Sequence, residues 1–165
     1  MPTKDKIVNL STASELVNTW KSDGEKIVFT NGCFDIVHLG HIDYLEKASL
    51  LGSKMVLGLN TDASVQRLKS VSRPVIDQVS RSRLMAALEF IDLVIFFDND
   101  TPLELIKTLM PDVLVKGNDY QIKDIVGSKE VLENGGSVET VELVQGYSTS
   151  SIIDKIIRTS NEKIK

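Results

Sequence analysis

The sequence predicts a doubly wound α/β fold built on a parallel five-stranded sheet, and three observations predict it. Short β-branched runs alternate with stretches of helical spacing along the 165 residues. The runs are apolar almost throughout instead of alternating with polar residues, the pattern of strands covered on both faces. No internal repeat, low-complexity tract or Pro/Gly/Ser-rich linker divides the chain, so one domain over residues 1–165 is expected.

Lys26-Ile27-Val28-Phe29-Thr30 reads as the first strand. Ile42, Leu45, Ala48 and Ser49 then keep helical spacing, and Gly52 stands where that helix would stop. Residues 55–59, 93–97 and 113–115 are the next three strands, and 137–141 is a weaker fifth. Thr101-Pro102-Leu103-Glu104 carries three agreeing signals of a helix start: a Thr N-cap, Pro at the first helical position and Glu at the capping-box position. Ile152, Ile153, Ile156 and Ile157 form an apolar stripe on a last helix that opens near Ser148.

Composition narrows the function classes. A net charge of -4 argues against a general nucleic-acid or membrane-surface binder, so an anionic ligand must be met by local groups. Cys33 is the single cysteine; it can form no internal disulfide and no Cys/His zinc spacing can be written, which points to a reduced, cytoplasmic setting. No apolar run approaches the ~18 residues that a membrane span needs. The start Met1-Pro2-Thr3-Lys4 leads into no signal-peptide core, so the patterns at Asn9-Leu10-Ser11 and Asn99-Asp100-Thr101 are chance matches to a glycosylation acceptor.

In open α/β sheets ligands bind beyond the carboxyl ends of the strands, which directs attention to the segment after Thr30. Thr30-Asn31-Gly32-Cys33-Phe34-Asp35-Ile36-Val37-His38-Leu39-Gly40-His41 holds both histidines of the chain. At a helix start, His38 and His41 fall on one face and address one ligand together. Gly40 between them lets a ligand approach the backbone, and the free amides of a first helical turn favour an anion, so a polyphosphate is the best match. The bland alternative is a locally hydrogen-bonded loop histidine followed by a partly buried helix histidine; placement directly after the first strand favours the functional reading. Neither G-x-x-x-x-G-K-[ST] nor G-x-G-x-x-G occurs, which removes the usual kinase and dehydrogenase readings.

Gly32-Cys33-Phe34-Asp35-Ile36-Val37-His38-Leu39-Gly40-His41 resembles the signature of the nucleotidyltransferase superfamily that includes cytidylyltransferases, phosphopantetheine adenylyltransferase and, more distantly, class I tRNA synthetases. Further stretches narrow the resemblance: Asn60-Thr61-Asp62-Ala63-Ser64-Val65, Arg67-Leu68-Lys69, Ser72-Arg73-Pro74-Val75, Leu114-Val115-Lys116-Gly117-Asn118-Asp119-Tyr120, Gly127-Ser128-Lys129-Glu130-Val131 and Ser148-Thr149-Ser150. Together they are similar to the adenylyltransferase domain of ADP-heptose synthases, over residues 6–157. Ser70 departs from a usual Gly, and Ser150 from a usual Thr with the hydroxyl kept.

The resemblance implies a Rossmann-like sheet of the H-x-G-H nucleotidyltransferase type and transfer of AMP from ATP to a sugar 1-phosphate, D-glycero-β-D-manno-heptose 1-phosphate, with pyrophosphate leaving. His38 and His41 would contact the triphosphate, and Arg81 would hold phosphates bidentately. Thr30, Asn31, Gly32, Cys33, Phe34 and Gly40 would line the nucleotide site largely through backbone groups, joined by Lys116, Gly117, Ser148, Thr149 and Ser150. Asp62 and Lys69 would lie at the acceptor. Cys33 is a packing residue in this reading, because a single in-line displacement needs no covalent nucleophile. Mg²⁺ would accompany ATP, with no metal-binding residue assigned. A homodimer is expected, with neither nucleic acid nor membrane as partner. The alternatives are a cytidylyltransferase acting on glycerol 3-phosphate or a similar alcohol phosphate, a phosphopantetheine adenylyltransferase, whose signature usually has Thr where His38 stands, and a regulatory module that binds nucleotide without turnover. Leu143 stands where cytidylyltransferases carry an arginine that helps read the base, which favours adenine over cytosine.

Overall fold

Six parallel strands, one more than the sequence reading, make the sheet of the computed structural model, which describes residues 2–162. They are β1 (Ile7–Val8), β2 (Ile27–Gly32), β3 (Lys54–Asn60), β4 (Leu93–Phe97), β5 (Val113–Gly117) and β6 (Ser137–Val141), in the order β1-β4-β3-β2-β5-β6. The expectation of five strands is corrected by β1, whose two residues pair Ile7 with Val94 and Val8 with Ile95 at the sheet edge. A two-residue strand leaves no hydrophobic run to detect.

Side chains alternate between two apolar layers, which explains the unbroken apolar runs. Ile27, Phe29, Val56 and Ile95 pack on one face with Ala13 and Val17 of α1 (Leu10–Ser22), Leu105, Ile106 and Leu109 of α5 (Leu103–Leu109) and Val131 of α6 (Ser128–Glu133). Val28, Met55, Leu57 and Val94 face the other way, against Leu45 and Ala48 of α2 (Leu39–Ser49) and Met85 and Ala86 of α4 (Gln78–Ala86). Truncating one of these enclosed side chains, for example Leu57→Ala, carries a cost of about 2–5 kcal/mol.

Local chemistry fixes the helix ends. Asn9 caps α1 by accepting from the Thr12 amide at 2.9 Å, so this residue of the apparent glycosylation pattern serves as a cap. Lys6 donates to the carbonyls of Leu88 and Ile91 beyond α4, and Lys21 to those of Leu109 and Met110 at the end of α5. The expected start of α5 is displaced: Pro102 itself occupies the N-cap position with φ -81° and ψ 13°, no side chain caps the helix, and Thr101 lies outside it. Ser148 opens α7 (Thr149–Glu162), where Ser148 Oγ accepts from the Ser151 amide at 3.1 Å and Ser151 Oγ from the Ser148 amide at 3.3 Å. This is a reciprocal cap with serine in the usual Glu position. The stripe predicted on α7 is only partly covered: Ile152 and Ile153 are half-buried, whereas Ile156 and Ile157 are 56% and 54% exposed.

Strand order reverses between β2 and β5, and there the ladder stops early. Only Val28 with Val113 and Phe29 with Leu114 pair, although β2 continues to Gly32 and β5 to Gly117. Side chains bridge the parting strands. Thr30 Oγ1 lies 2.7 Å from the Tyr44 hydroxyl, and both donate to the Val115 carbonyl, at 2.9 and 3.1 Å. The crevice opens above this wedge, at the position where doubly wound sheets take ligands.

Candidate active site

A cavity of about 720 Å³ occupies that crevice. Its floor is the β2–α2 turn, Asn31 to His41; one wall is the end of β5 with Lys116 and Gly117, and another is the segment from Leu143 to Ser150 that leads into α7. On the remaining side stand Lys69 and Arg73, from the connection between α3 (Asp62–Leu68) and α4. A shallower depression of about 550 Å³ lies at the opposite ends of the strands. Its Lys21 ammonium already serves the carbonyls at the end of α5.

The turn that carries the histidines is held in an uncommon backbone state. Phe34 adopts a left-handed φ of 45° while its side chain is 6% exposed, and its ring meets the His41 ring edge-on at 5.2 Å. His38 is the N-cap of α2 in extended conformation, with its imidazole free of capping. Its ring stacks on that of His41 with centroids 3.7 Å apart and planes 18° from parallel. A Cβ on Gly40 would come to 3.2 Å from both the His38 ring and Tyr147 Cβ, so a larger residue there would press on this packing.

The stacked pair is short of hydrogen bonds. Among the described residues, neither His38 Nδ1 nor His41 Nδ1 has a partner, although both atoms are buried. An unpaired buried polar atom costs about 1–3 kcal/mol, so the pair is poised to receive a ligand atom. Burial lowers the pKa of His38, and burial together with the neighbouring His38 pushes His41 down to about 4. Both imidazoles are neutral near pH 7 in the free protein. Across the cavity, Lys116 Nζ donates to the Asn31 carbonyl at 3.2 Å and to Asn31 Oδ1 at 2.5 Å, and burial brings its pKa down to about 8. The Cys33 thiol is pushed up chiefly by burial and sits 3.8 Å from Asn60 Oδ1, so it stays protonated.

Thirteen of the sixteen residues named from the sequence line this cavity: Asn31, Gly32, Cys33, Phe34, His38, Gly40, His41, Lys69, Lys116, Gly117, Ser148, Thr149 and Ser150. Three do not. Thr30 is fully buried and serves the wedge between β2 and β5. Arg81, expected to grip phosphates, is 0% exposed and held by protein: Nε donates to the Ile76 carbonyl at 3.0 Å, Nη1 to the Cys33 carbonyl at 2.6 Å and Nη2 to Asp62 Oδ1 at 2.7 Å. Asp62, expected at the acceptor, is the partner of Arg81 and accepts from the Gln78 amide at 3.1 Å. These two residues brace the loop beneath the cavity from outside it, because a charge enclosed at the end of α4 must be paired.

Asp35 and Arg73, to which the sequence assigned no role, also line the cavity. Asp35 is 2% exposed and accepts from the Val75 amide at 2.8 Å, the Ile76 amide at 2.9 Å and Arg73 Nε at 2.6 Å. Burial opposes its charge, yet the amides of Ile76 and Val75 and the Arg73 guanidinium outweigh that and hold its pKa below the ordinary carboxylate value. A lone carboxylate among apolar neighbours in the turn was the available signal.

Comparisons with known proteins place the chain among relatives. A bifunctional protein HldE from Geobacter metallireducens is 53% identical over 96% of this chain, and one from Magnetococcus marinus is 53% identical over 92%. The chain spans about a third of the length of these curated relatives, 32% and 31%. Among solved structures, the lipopolysaccharide core biosynthesis protein from Thermoplasma volcanium matches with a TM-score of 0.61 and 26% identity, over 76% of this chain and all of that one. A pantoate-beta-alanine ligase from Francisella tularensis, at 13% identity and a TM-score of 0.59 over 82% of this chain and 66% of its own, shares the fold. The profile of the cytidylyltransferase-like family matches residues 29–155, so the chain belongs to that family and is a nucleotidyltransferase.

Proposed function

We propose that the chain transfers AMP from ATP to a sugar 1-phosphate, D-glycero-β-D-manno-heptose 1-phosphate, giving ADP-heptose and pyrophosphate. The observation that carries this reading is the stacked His38–His41 pair, with its two unpartnered nitrogens, at the floor of the crevice where the strand order reverses. The similarity of residues 6–157 to the adenylyltransferase domain of ADP-heptose synthases supports the heptose substrate.

An acceptor phosphate oxygen attacks the α-phosphorus in line as the bond to the pyrophosphate oxygen breaks. That oxygen is already ionised near neutral pH, so alignment of two anions and stabilisation of the growing charge are the tasks of the site. His38 and His41 meet the triphosphate, and Lys116 turns from the Asn31 carbonyl towards it. The hydroxyls and first amides of residues 148–150 at the start of α7 favour the same anion. Among the described residues no group of three or more His, Cys, Asp or Glu could hold a metal ion. Mg²⁺, when bound, would be held by phosphate and water oxygens and would shield the charge of the triphosphate. A single domain, a homodimer and a cytoplasmic setting complete the proposal; no helix among the described residues is long and apolar enough to cross a membrane.

Pyrophosphate release across the four nucleoside triphosphates, each paired with heptose 1-phosphates and with glycerol 3-phosphate, tests this reading. ATP with a heptose 1-phosphate is the expected pair. Leu143, at the cavity wall, has no donor for the cytosine carbonyl. A CDP-sugar as the main product from equal ATP and CTP would overturn the choice of base. Nucleotide binding without pyrophosphate release under any pairing would replace the enzyme reading by that of a binding module.

A further inference from the structure

We propose that Arg73 is the arginine that grips a substrate phosphate in this cavity, and that Asp35 is the residue that positions it. The inference rests on the transfer reaction proposed above and adds an anion-binding residue to it.

The sequence offered Arg81 for that task, and the structure encloses Arg81 in the protein. Arg73 lines the cavity, with its side chain 18% exposed. Only its Nε is engaged, on Asp35 at 2.6 Å; among the described residues neither terminal nitrogen has a hydrogen-bond partner. The outer edge of the guanidinium is therefore available. Two parallel N–H groups on that edge match two oxygens of a phosphate, a geometry that lysine does not reproduce.

Asp35 sets the direction of that edge. Its carboxylate is anchored by the Val75 and Ile76 amides, so it cannot rotate away from Arg73 without leaving two amides unpaired. Backbone of the same segment reaches the nucleotide turn by a second route, since Arg81 joins the Ile76 carbonyl to the Cys33 carbonyl. The segment with Lys69 and Arg73 follows β3 and α3, whereas Lys116 stands on β5, and β3 and β5 flank β2 on opposite sides, so the two sets of cations reach the floor from opposite sides. Two anionic groups can thus be held on opposite sides of Cys33, and Arg73 serves the side away from β5.

The phosphate could belong to ATP or to the acceptor, and steady-state kinetics separates them. Arg73→Gln, Arg73→Lys and Asp35→Asn are compared with wild type and with Arg83→Gln, a surface control, varying ATP and the sugar 1-phosphate in turn. Arg73→Gln is expected to lower kcat/KM by about 10²-fold, as for one lost charge-assisted contact, with a raised KM for the substrate whose phosphate is held. Arg73→Lys should recover part of the loss. Asp35→Asn should raise the same KM, and the double variant should lose less than the sum of the singles. A change below about twofold in both KM values and in kcat for folded Arg73→Gln overturns the proposal, as does a loss in Asp35→Asn confined to thermal stability. Calorimetric binding of inorganic tripolyphosphate and of inorganic phosphate is measured on the same proteins. If wild type turns over no substrate, the reaction reading fails; Arg73 is then judged on binding alone, and equal affinity for both anions in Arg73→Gln and wild type overturns it.

Discussion

Binding of ATP should bring about half a proton at pH 7 into the His38–His41 pair. In the free protein His41 sits at about 4 and His38 below its ordinary value, so the pair is neutral at pH 7. Raising His41 to half-protonation at pH 7 needs roughly 4 kcal/mol of favourable interaction, at about 1.4 kcal/mol per pH unit. One phosphate charge at ~4 Å, in a partly shielded site of effective dielectric ~20, supplies about that amount. The stacked rings, 3.7 Å apart, repel each other by a similar amount once both are charged, so the pair shares a single proton.

Calorimetry in two buffers of different ionisation enthalpy reads the uptake directly, at roughly 0.5 proton per ATP at pH 7, and affinity should fall by up to about tenfold per pH unit between about pH 5 and pH 7 and level off above. Lys116, at about 8, is mostly charged already and adds little. Subtracting the uptake of His41→Asn removes the proton chemistry of ATP itself. An uptake below about 0.1 proton, with affinity flat from about pH 5 to 7, would refute the charged-histidine account and leave neutral N–H donors in its place.

Three further outcomes follow from the same geometry. His41→Ala should lower kcat by about 10²- to 10³-fold while the thermal midpoint stays close to wild type; near-normal turnover would remove His41 from the site. Arg81→Met should destabilise the fold by about 3 kcal/mol in a denaturant titration, the lower end for a broken buried pair because Asp62 is a third exposed. Asp35 has a folded pKa below its unfolded value near ~3.9, so its contribution is complete above that value and is lost as pH falls through the lower folded pKa. Thermal midpoints from pH 6 to pH 3 should therefore fall less steeply in Asp35→Asn than in wild type.

The sheet was legible because its signal is local. Each central strand is a continuous apolar run, and the runs at 93–97 and 137–141 match β4 and β6 to the residue. β1 was not legible, since two residues carry no period and its pairing with β4 bridges about half of the chain. The turn from Asn31 to His41 could be read because spacing at a helix start decides which side chains share a face. Arg81 could not, because whether a helix arginine faces ligand or protein depends on contacts with Cys33, Asp62 and Ile76, remote in sequence or set by the segment's bend. The same non-local dependence concealed Arg73: only the fold brings it to a carboxylate 38 positions away.

A protein of net charge -4 that is to bind a triphosphate, as proposed, faces a conflict, and the free site answers it in part by lowering its own positive charge. Lys116 rests on Asn31, Arg73 keeps its Nε on Asp35, and the two histidines are uncharged. A bare cluster of these four groups, all charged, would repel itself and bind any anion. A masked one responds in proportion to ligand charge, because the gain must exceed the cost of turning Lys116 from its carbonyl and of protonating a buried imidazole. A singly or doubly charged anion at one of these positions meets that cost with one contact. A triphosphate that reaches both sides of Cys33 meets it with several. On the proposed function, selectivity for polyphosphate over phosphate or sulfate should arise from the low charge of the empty site, and it should weaken as pH falls and the histidines protonate unaided.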